Sequence, residues 1–525
     1  MLKRDYFDVI IIGGGITGAG IALDAVSRGL RVALFEKNDF ASGTSSKSTK
    51  LIHGGLRYLK QYEFGLVREM GRERAVLHKL ATHLVRPEKM LLPLIKDGNY
   101  GKIITSVGLM VYDVLADVSS QDQRKMLSVS ETKDKEPLLD ESKLEGGGIY
   151  AEYQADDFRL VIELIKKARS LGAVPMNYTP FVKFLEKGGK ICGVEALDAE
   201  SNESFKIYAD FVINAAGPWA DIIRGTQEQL GSKRLRTTKG IHLVVPYDKL
   251  PVRQSLYFDV PDGRMIFAIP RDGITYIGTT DTEYNENLER IHTKIEDVSY
   301  LLTAINDTFH TINIQLNDIL SSWAGVRPLI DEEGKSSSEV SRKDEIFVSS
   351  KGLITIAGGK LTGYRKMAKR VVDKLIEIRS DSHTIRKEYK SKTKKIKLPG
   401  NSFKNYEAVA AYKSELIQRF PTQNPQELSR LVDMFGDQSE SILSSPKSSL
   451  LLSALDFCIE NEMVVHLTDF FIYRTGMLYF DIVRVDSEME SASQFMAKKM
   501  NWSEKTRLKE LNDLQYHILH ARTFQ

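Results

Sequence analysis

At 525 residues the chain has room for two to four domains, and its 42% hydrophobic and 27% charged residues match an ordinary globular protein rather than a disordered or collagen-like one. Its formal charge of +3 gives no reason to expect nucleic-acid binding. The two cysteines, Cys192 and Cys458, exclude a disulfide scaffold and a thiolate zinc site, so a reducing compartment is expected.

The start MLKRDYFDVIIIGGG places only a short apolar run before its glycines, so neither a standard signal peptide nor a spanning segment is expected. FDVIII, from Phe7 to Ile12, has the β-branched content of a buried parallel strand. Glycines follow, then IALDAVSRG reads as a helix ending near Gly29, and RVALFE from Arg31 to Glu36 as a second strand. The next segment becomes helix-compatible, with Phe64, Val67 and Met70 on one side. DDFRLVIELIKKARSLG, from Asp156, spaces Leu160, Leu164 and Ile165 as a helix that Gly172 can stop. DFVINAAGPWA, from Asp210, is another buried strand running into a glycine turn.

From about residue 235 to 285 short strands alternate with turn signals, among them Asp262-Gly263 and Asp272-Gly273. This is the texture of an inserted, mostly antiparallel domain. GLITIAGGKLTGYRKMAKRVVDKLIEI, from Gly352, returns to strand, glycine turn and helix. Residues 386–397 carry seven Lys/Arg against one Glu and read as a linker, after which several helix-compatible stretches follow. His78 and His83 lack a ligand set and read as solvated or locally hydrogen-bonded.

Gly13, Gly15 and Gly18 form GxGxxG directly after the first strand. The first allows the tight turn, the second lets backbone approach a diphosphate, and the third permits close helix packing. The N–H groups at the helix start favour the anion. Glu36, 18 residues after Gly18, ends the second strand where its carboxylate can accept ribose hydroxyl hydrogen bonds and disfavours a 2′-phosphate. None of this separates FAD from NAD.

Taken in order, GGGITGAG (13–20), GTSSKSTKLIHGGLRYL (43–59), YQADDFRL (153–160), NAAGPWAD (214–221), KGIHLVVP (239–246), DGRMIFAIPR (262–271), IGTTDT (277–282), WAGVRPL (323–329), AGGKLTGYR (357–365) and ENEMVVHLTDFFIYRTG (460–476) resemble the FAD-dependent, quinone-linked glycerol-3-phosphate dehydrogenase family over nearly the whole chain. The resemblance implies an α/β plus α+β architecture. A discontinuous Rossmann-like FAD domain of the amino-acid-oxidase-like type would take residues 1–90, 151–230 and 345–385. The inserted antiparallel substrate domain would take 91–150 and 231–344, and a helical C-terminal cap 399–525. It further implies noncovalent FAD, oxidation of sn-glycerol 3-phosphate to dihydroxyacetone phosphate, and electron transfer to membrane quinone.

Within that resemblance His53 is the leading proton acceptor or relay, with Lys360 or a water as competitors. Arg57 and Arg327 are phosphate or oxyanion binders rather than bases, because a guanidinium is not deprotonated at neutral pH. Tyr58, His242 and Lys360 join them as substrate contacts. Thr44, Ser45 and Ser46 are expected against the diphosphate or flavin, Ala216 and Gly217 along the cofactor, and Gly359 and Thr362 at its pyrimidine end. Gly363 stands where the resembling dehydrogenases usually carry threonine, which removes one hydroxyl. No metal is expected.

Two other functions remain open from the sequence. An oxidase would return the electrons to oxygen, but only 30 residues separate Pro328 from Gly359, where such oxidases commonly carry more. A noncatalytic nucleotide-binding interaction protein would bind flavin without being reduced by substrate. The expected place is the cytoplasmic face of the membrane, held peripherally on anionic lipid by the basic 386–397 segment and by apolar contact from Phe64, Val67 and Met70 or from FFIYRTGMLYF (470–480). Association as a homodimer is also open.

Overall fold

The first apolar run becomes β1 (Tyr6–Ile12), an interior strand of a mainly parallel sheet, in a computed structural model that describes residues 6–55, 63–96, 123–231, 233–331, 343–380 and 387–524. β2 (Val32–Phe35) lies beside it in parallel, Val9 opposite Val32, and Glu203–Asn214 runs parallel on its other side, Val9 opposite Phe211. The spatial order is Asp344–Val348, Ile354–Gly358, Glu203–Asn214, β1, β2, Val174–Met176. Such a strand is covered on both faces, so Val9, Ile10, Ile11 and Ile12 are all buried in an unbroken apolar run.

Helix α1 (Ile16–Ser27) follows the glycine turn and packs between the helices Asp157–Ser170 and Tyr364–Ser380. Its small residues make that approach possible: a Cβ on Gly20 would lie 2.7 Å from the Tyr364 ring. Asp24 on α1 is buried beside Arg28, which also reaches Asp373 at 2.6 Å. These contacts fasten the first and last segments of the sheet domain to one another.

The second sheet is ordered Thr282–Glu283, Leu235–Pro246, Ile274–Gly278, Met265–Arg271, Ser255–Asp259, Arg86–Ile95, Leu144–Gln154, Leu51–Ile52, with Ser321–Ile330 paired along Leu235–Pro246. It is antiparallel except where Ser255–Asp259 meets Arg86–Ile95. Both Asp-Gly steps sit at hairpins, and Asp272 and Gly273 have φ of 48° and 87°, as a tight hairpin with two left-handed residues requires. Helix Ile295–Thr308 packs with one apolar cluster of this sheet, and the C-terminal helices, from Tyr406–Arg419 to Glu504–Arg522, share another with its Tyr276 and Trp323.

Three sequence expectations change here. Phe470, Phe471, Ile472, Leu478 and Tyr479 belong to the core of the C-terminal helices, and Val67 and Met70 are likewise buried, leaving only Phe64 exposed. Neither segment offers an apolar face to a membrane, because the same residues fill the interior. His83 is fully buried rather than solvated, and burial pushes its imidazole down to about 3. The basic segment does stay outside: Lys390, Lys392, Lys394, Lys395 and Lys397 are exposed, while buried Thr393 reaches Asp24 at 3.3 Å and the Leu398 N–H donates to the Leu80 carbonyl at 2.9 Å. Among the described residues no helix is long and apolar enough to cross a membrane.

Candidate active site

The chain turns sharply out of β1 because Gly13 takes φ +109°. Its N–H donates to the Phe35 carbonyl at 2.8 Å, and a Cβ there would lie 2.5 Å from the Ala215 oxygen. Gly18 supports the turn from behind, since a Cβ on it would sit 1.8 Å from the Gly13 carbonyl oxygen. Gly15 caps α1, and the Ile16 N–H at the first turn donates to Ser45 Oγ at 2.9 Å. Glu36 accepts from the Gly14 N–H at 2.7 Å and the Asn38 N–H at 3.1 Å. Burial raises its carboxyl above the ordinary range while those two donors oppose the shift.

These elements open on one cavity of about 1480 Å³, more than the roughly 300–1,000 Å³ of a usual ligand pocket. Gly13, Gly15, Glu36, Thr44, Ser45, Ala216 and Gly217 line it. The same cavity is lined by His53, His242, Arg327, Gly359, Lys360 and Thr362, so the sheet domain and the second sheet face a common space. Gly18 and Ser46 are not on its wall. Ser46 is fully buried, with its hydroxyl 3.4 Å from the Gly43 carbonyl. Arg57 and Tyr58 lie outside the described residues.

Each polar side chain on the second-sheet side has an identifiable support. Arg327, on Ser321–Ile330, donates to Thr279 Oγ1 at 2.9 Å, to Asp281 at 3.2 Å and to the Thr280 carbonyl at 3.3 Å. Gly240 on the neighbouring strand makes room for it, since a Cβ would lie 2.2 Å from the guanidinium. His242 stacks on Trp323 with ring centroids 4.6 Å apart, and its Nε2 is 3.0 Å from Thr49 Oγ1. Burial, with Arg327 and Lys50 nearby, holds this imidazole well below its ordinary range, so it is neutral. Its Nδ1 has no hydrogen-bond partner among the described residues.

His53 presents its ring edge-on to Phe267 at 6.2 Å, and its carbonyl accepts from the Thr362 hydroxyl at 3.3 Å. That bond ties HGG to GGKLTG across 309 positions of sequence. Lys360 follows Gly358 and Gly359, both at positive φ, which place it beside the same wall. A Cβ on Gly363 would meet Met70 at 2.7 Å, so the glycine relieves packing on helix Phe64–Leu80.

Sequence reasoning missed several residues of this site. Asn214 sets the second turn, with its side-chain oxygen accepting from the Ala216 N–H at 3.2 Å and its amide donating to the Ala220 carbonyl at 2.8 Å. The NAAGPW segment carried that signal. Lys47, Tyr473, Tyr479 and His517 also line the cavity, the last three from the C-terminal helices; Lys47 and Tyr473 lie in segments that carry the family resemblance, and His517 does not. Asp39 lines it too, fixed by Arg474 at 2.5 Å and Asn177 at 2.9 Å.

The residues fit a dinucleotide cofactor: a helix N-terminus, an acid at the end of β2, and glycines where a Cβ would close the turn. A family model for FAD-dependent oxidoreductases matches residues 8–365, and one for the C-terminal domain of alpha-glycerophosphate oxidase matches residues 391–507. The aerobic glycerol-3-phosphate dehydrogenase of Bacillus subtilis is 46% identical, covering 99% of this chain and 96% of its own, and that of Staphylococcus saprophyticus is 45% identical with the same coverage. The glycerol-3-phosphate dehydrogenase of Bacillus halodurans, solved with FAD, superposes with a TM-score of 0.84 at 38% identity, covering 100% of this chain and 97% of that one. The L-alpha-glycerophosphate oxidase of Mycoplasma pneumoniae shares the fold, with a TM-score of 0.56 and 19% identity over 71% of this chain and 95% of its own. The chain therefore belongs to the FAD-dependent oxidoreductases and, within them, to the aerobic glycerol-3-phosphate dehydrogenase family.

Proposed function

We propose that the protein oxidises sn-glycerol 3-phosphate to dihydroxyacetone phosphate and passes the electrons to a membrane quinone. The observation that carries this reading is the single cavity in which a diphosphate-binding glycine turn meets His53, His242, Arg327 and Lys360. The bound FAD supplies a two-electron acceptor for the hydride leaving substrate C2. His53 takes the proton of the C2 hydroxyl, so that its oxygen becomes the carbonyl, with Lys360 or a water as the alternative acceptor. Arg327, held by Thr279 and Asp281, presents fixed donors to the substrate phosphate or to charge developing on oxygen. Arg57 and Tyr58 complete the phosphate contacts in this reading. His242, neutral and stacked on Trp323, orients substrate without carrying charge.

Gly13, Gly15, Glu36, Thr44, Ser45, Ala216, Gly217, Gly359 and Thr362 hold the cofactor in this account. The boundaries 1–90, 151–230 and 345–385 for the FAD domain, 91–150 and 231–344 for the substrate domain, and 399–525 for the cap remain the proposed division. Docking is peripheral, at the cytoplasmic face of the membrane, through the exposed lysines between 390 and 397. Each adds about 1 kcal/mol near an anionic surface. The short stretch between Pro328 and Gly359 favours quinone over oxygen. One FAD-loaded sample tests both points: it should pellet with anionic liposomes at low salt and turn over faster with quinone than with oxygen. Absence of pelleting together with faster oxygen turnover would favour a soluble oxidase.

A further inference from the structure

Lys47 stands two residues beyond Ser45, whose hydroxyl meets the first turn of α1, and it lines the same cavity. Its stem runs against Ser321–Ile330 so closely that a Cβ on Gly325 would lie 2.3 Å from Lys47 Cβ. Its ammonium donates to the Tyr479 hydroxyl and lies 4.7 Å from that ring and 6.0 Å from the Tyr473 ring. Among the described residues it forms no ion pair. Asp157, a carboxylate near enough to act on it, is engaged by Lys50 at 2.6 Å and by the Ser48 N–H at 2.9 Å. A cation seated among aromatic rings, whose acting carboxylate is already engaged by Lys50, calls for a further anion.

We propose that Lys47 is a phosphate-binding residue of the cavity, and that it pairs with the cofactor diphosphate from the wall built with the C-terminal helices. The inference rests on the FAD reading above. The shared chemistry is phosphate, which the substrate also carries; the diphosphate is the source proposed because Lys47 is two residues along the chain from Ser45, whose hydroxyl accepts from the first-turn N–H of α1. Burial, with Lys50 beside it, holds the unpaired ammonium down to about 7, and an adjacent diphosphate would restore its proton. His517 on Glu504–Arg522 is held down to about 4 by burial and by Lys47, so it adds no competing charge.

Apoprotein of wild type, Lys47→Met and Lys47→Arg is titrated with FAD, and the substrate affinity of each FAD-saturated protein is read from the perturbed flavin spectrum. Lys47→Met should weaken FAD binding about ten- to hundredfold, the worth of one charge-assisted hydrogen bond, while Lys47→Arg retains most of it. The affinity for glycerol 3-phosphate should stay unchanged once FAD is saturating. The Lys47→Met apoprotein should melt no lower than wild-type apoprotein, because an uncompensated cation has been removed. Unchanged FAD affinity overturns the proposal, as does a loss confined to glycerol 3-phosphate, which would assign Lys47 to the substrate phosphate. A lower apoprotein melting temperature would show a merely structural lysine. Failure of wild-type apoprotein to bind FAD would instead defeat the reading beneath it.

Discussion

Arg474→Leu should loosen the C-terminal domain from the cofactor cavity and release FAD. Arg474 sits at the end of a π-helical turn, Asp469–Arg474, and its side chain and that of Asp39 are both fully buried. It makes a two-pronged contact with Asp39 at 2.5 and 3.1 Å and donates to the Glu462 carbonyl at 2.7 Å. Asp39 lies three residues after Glu36 on the cavity wall, so the pair joins the cap to the nucleotide end. Without the arginine, Asp39 keeps the Asn177 amide but faces Asp469, whose carboxyl burial and Asp39 already push up to about 7. Stranding one member of a buried pair costs about 3–5 kcal/mol, more than a hundredfold in the docking equilibrium. A chain with several domains does not unfold in one step, so the loss is best read as FAD release and as proteolysis at the exposed lysines near 390–397. The cycle with Asp39→Asn is decisive: the double variant should be less impaired than Arg474→Leu alone, because the unpaired carboxylate is the source of the penalty. Effects that simply add within about 0.5 kcal/mol would refute this reasoning.

Gly18→Ala forces a methyl group against the Gly13 carbonyl and should weaken FAD binding by about 1–3 kcal/mol in an apoprotein titration; wild-type affinity would refute the turn geometry. His466 is half-buried, which opposes protonation, yet its bond to Glu510 at 2.8 Å and the charges of Asp469, Glu510 and Glu200 raise it to about 9. The stability it contributes is therefore fully present below its ordinary pKa near 6.5 and is lost as pH rises through about 9. Melting profiles of His466→Gln should lack that loss across the same window. His53→Asn should slow flavin reduction by about 10²–10⁴ with FAD loading intact, whereas Arg327→Ala should also weaken substrate binding by about 1.5–3 kcal/mol. Rapid-mixing reduction across substrate concentration separates the two effects.

The residues legible from sequence are those whose geometry is local. GxGxxG announces a turn because Gly13 and Gly18 meet backbone, and Gly15 the Ser45 side chain, within a few residues of one another, and Glu36 is found by counting to the end of β2. The Asp-Gly hairpins are legible for the same reason. HGG, GVRP and GGK could be brought to one cavity only by the family resemblance, since Thr362 and His53 meet across 309 positions. His517 carries no local signature, because its placement depends on how the C-terminal helices pack, and Lys47, although inside GTSSKSTKLIHGGLRYL, meets Tyr473 and Tyr479 only through that packing. FFIYRTGMLYF shows the opposite failure: an apolar segment suits a membrane or a protein core equally, and Phe470 and Phe471 are in the core. Polarity alone likewise does not reveal that His83 is enclosed and its imidazole held down to about 3 by burial.

Anaerobic rapid mixing of the FAD-loaded protein with glycerol 3-phosphate and, separately, with glycerol, following flavin absorbance, tests the proposed reaction most directly. That reaction predicts that glycerol 3-phosphate bleaches one bound FAD per chain quickly while glycerol does so far more slowly, because only the phosphorylated alcohol engages the arginine-lined wall. No bleaching by glycerol 3-phosphate, or equally fast bleaching by glycerol, would contradict it.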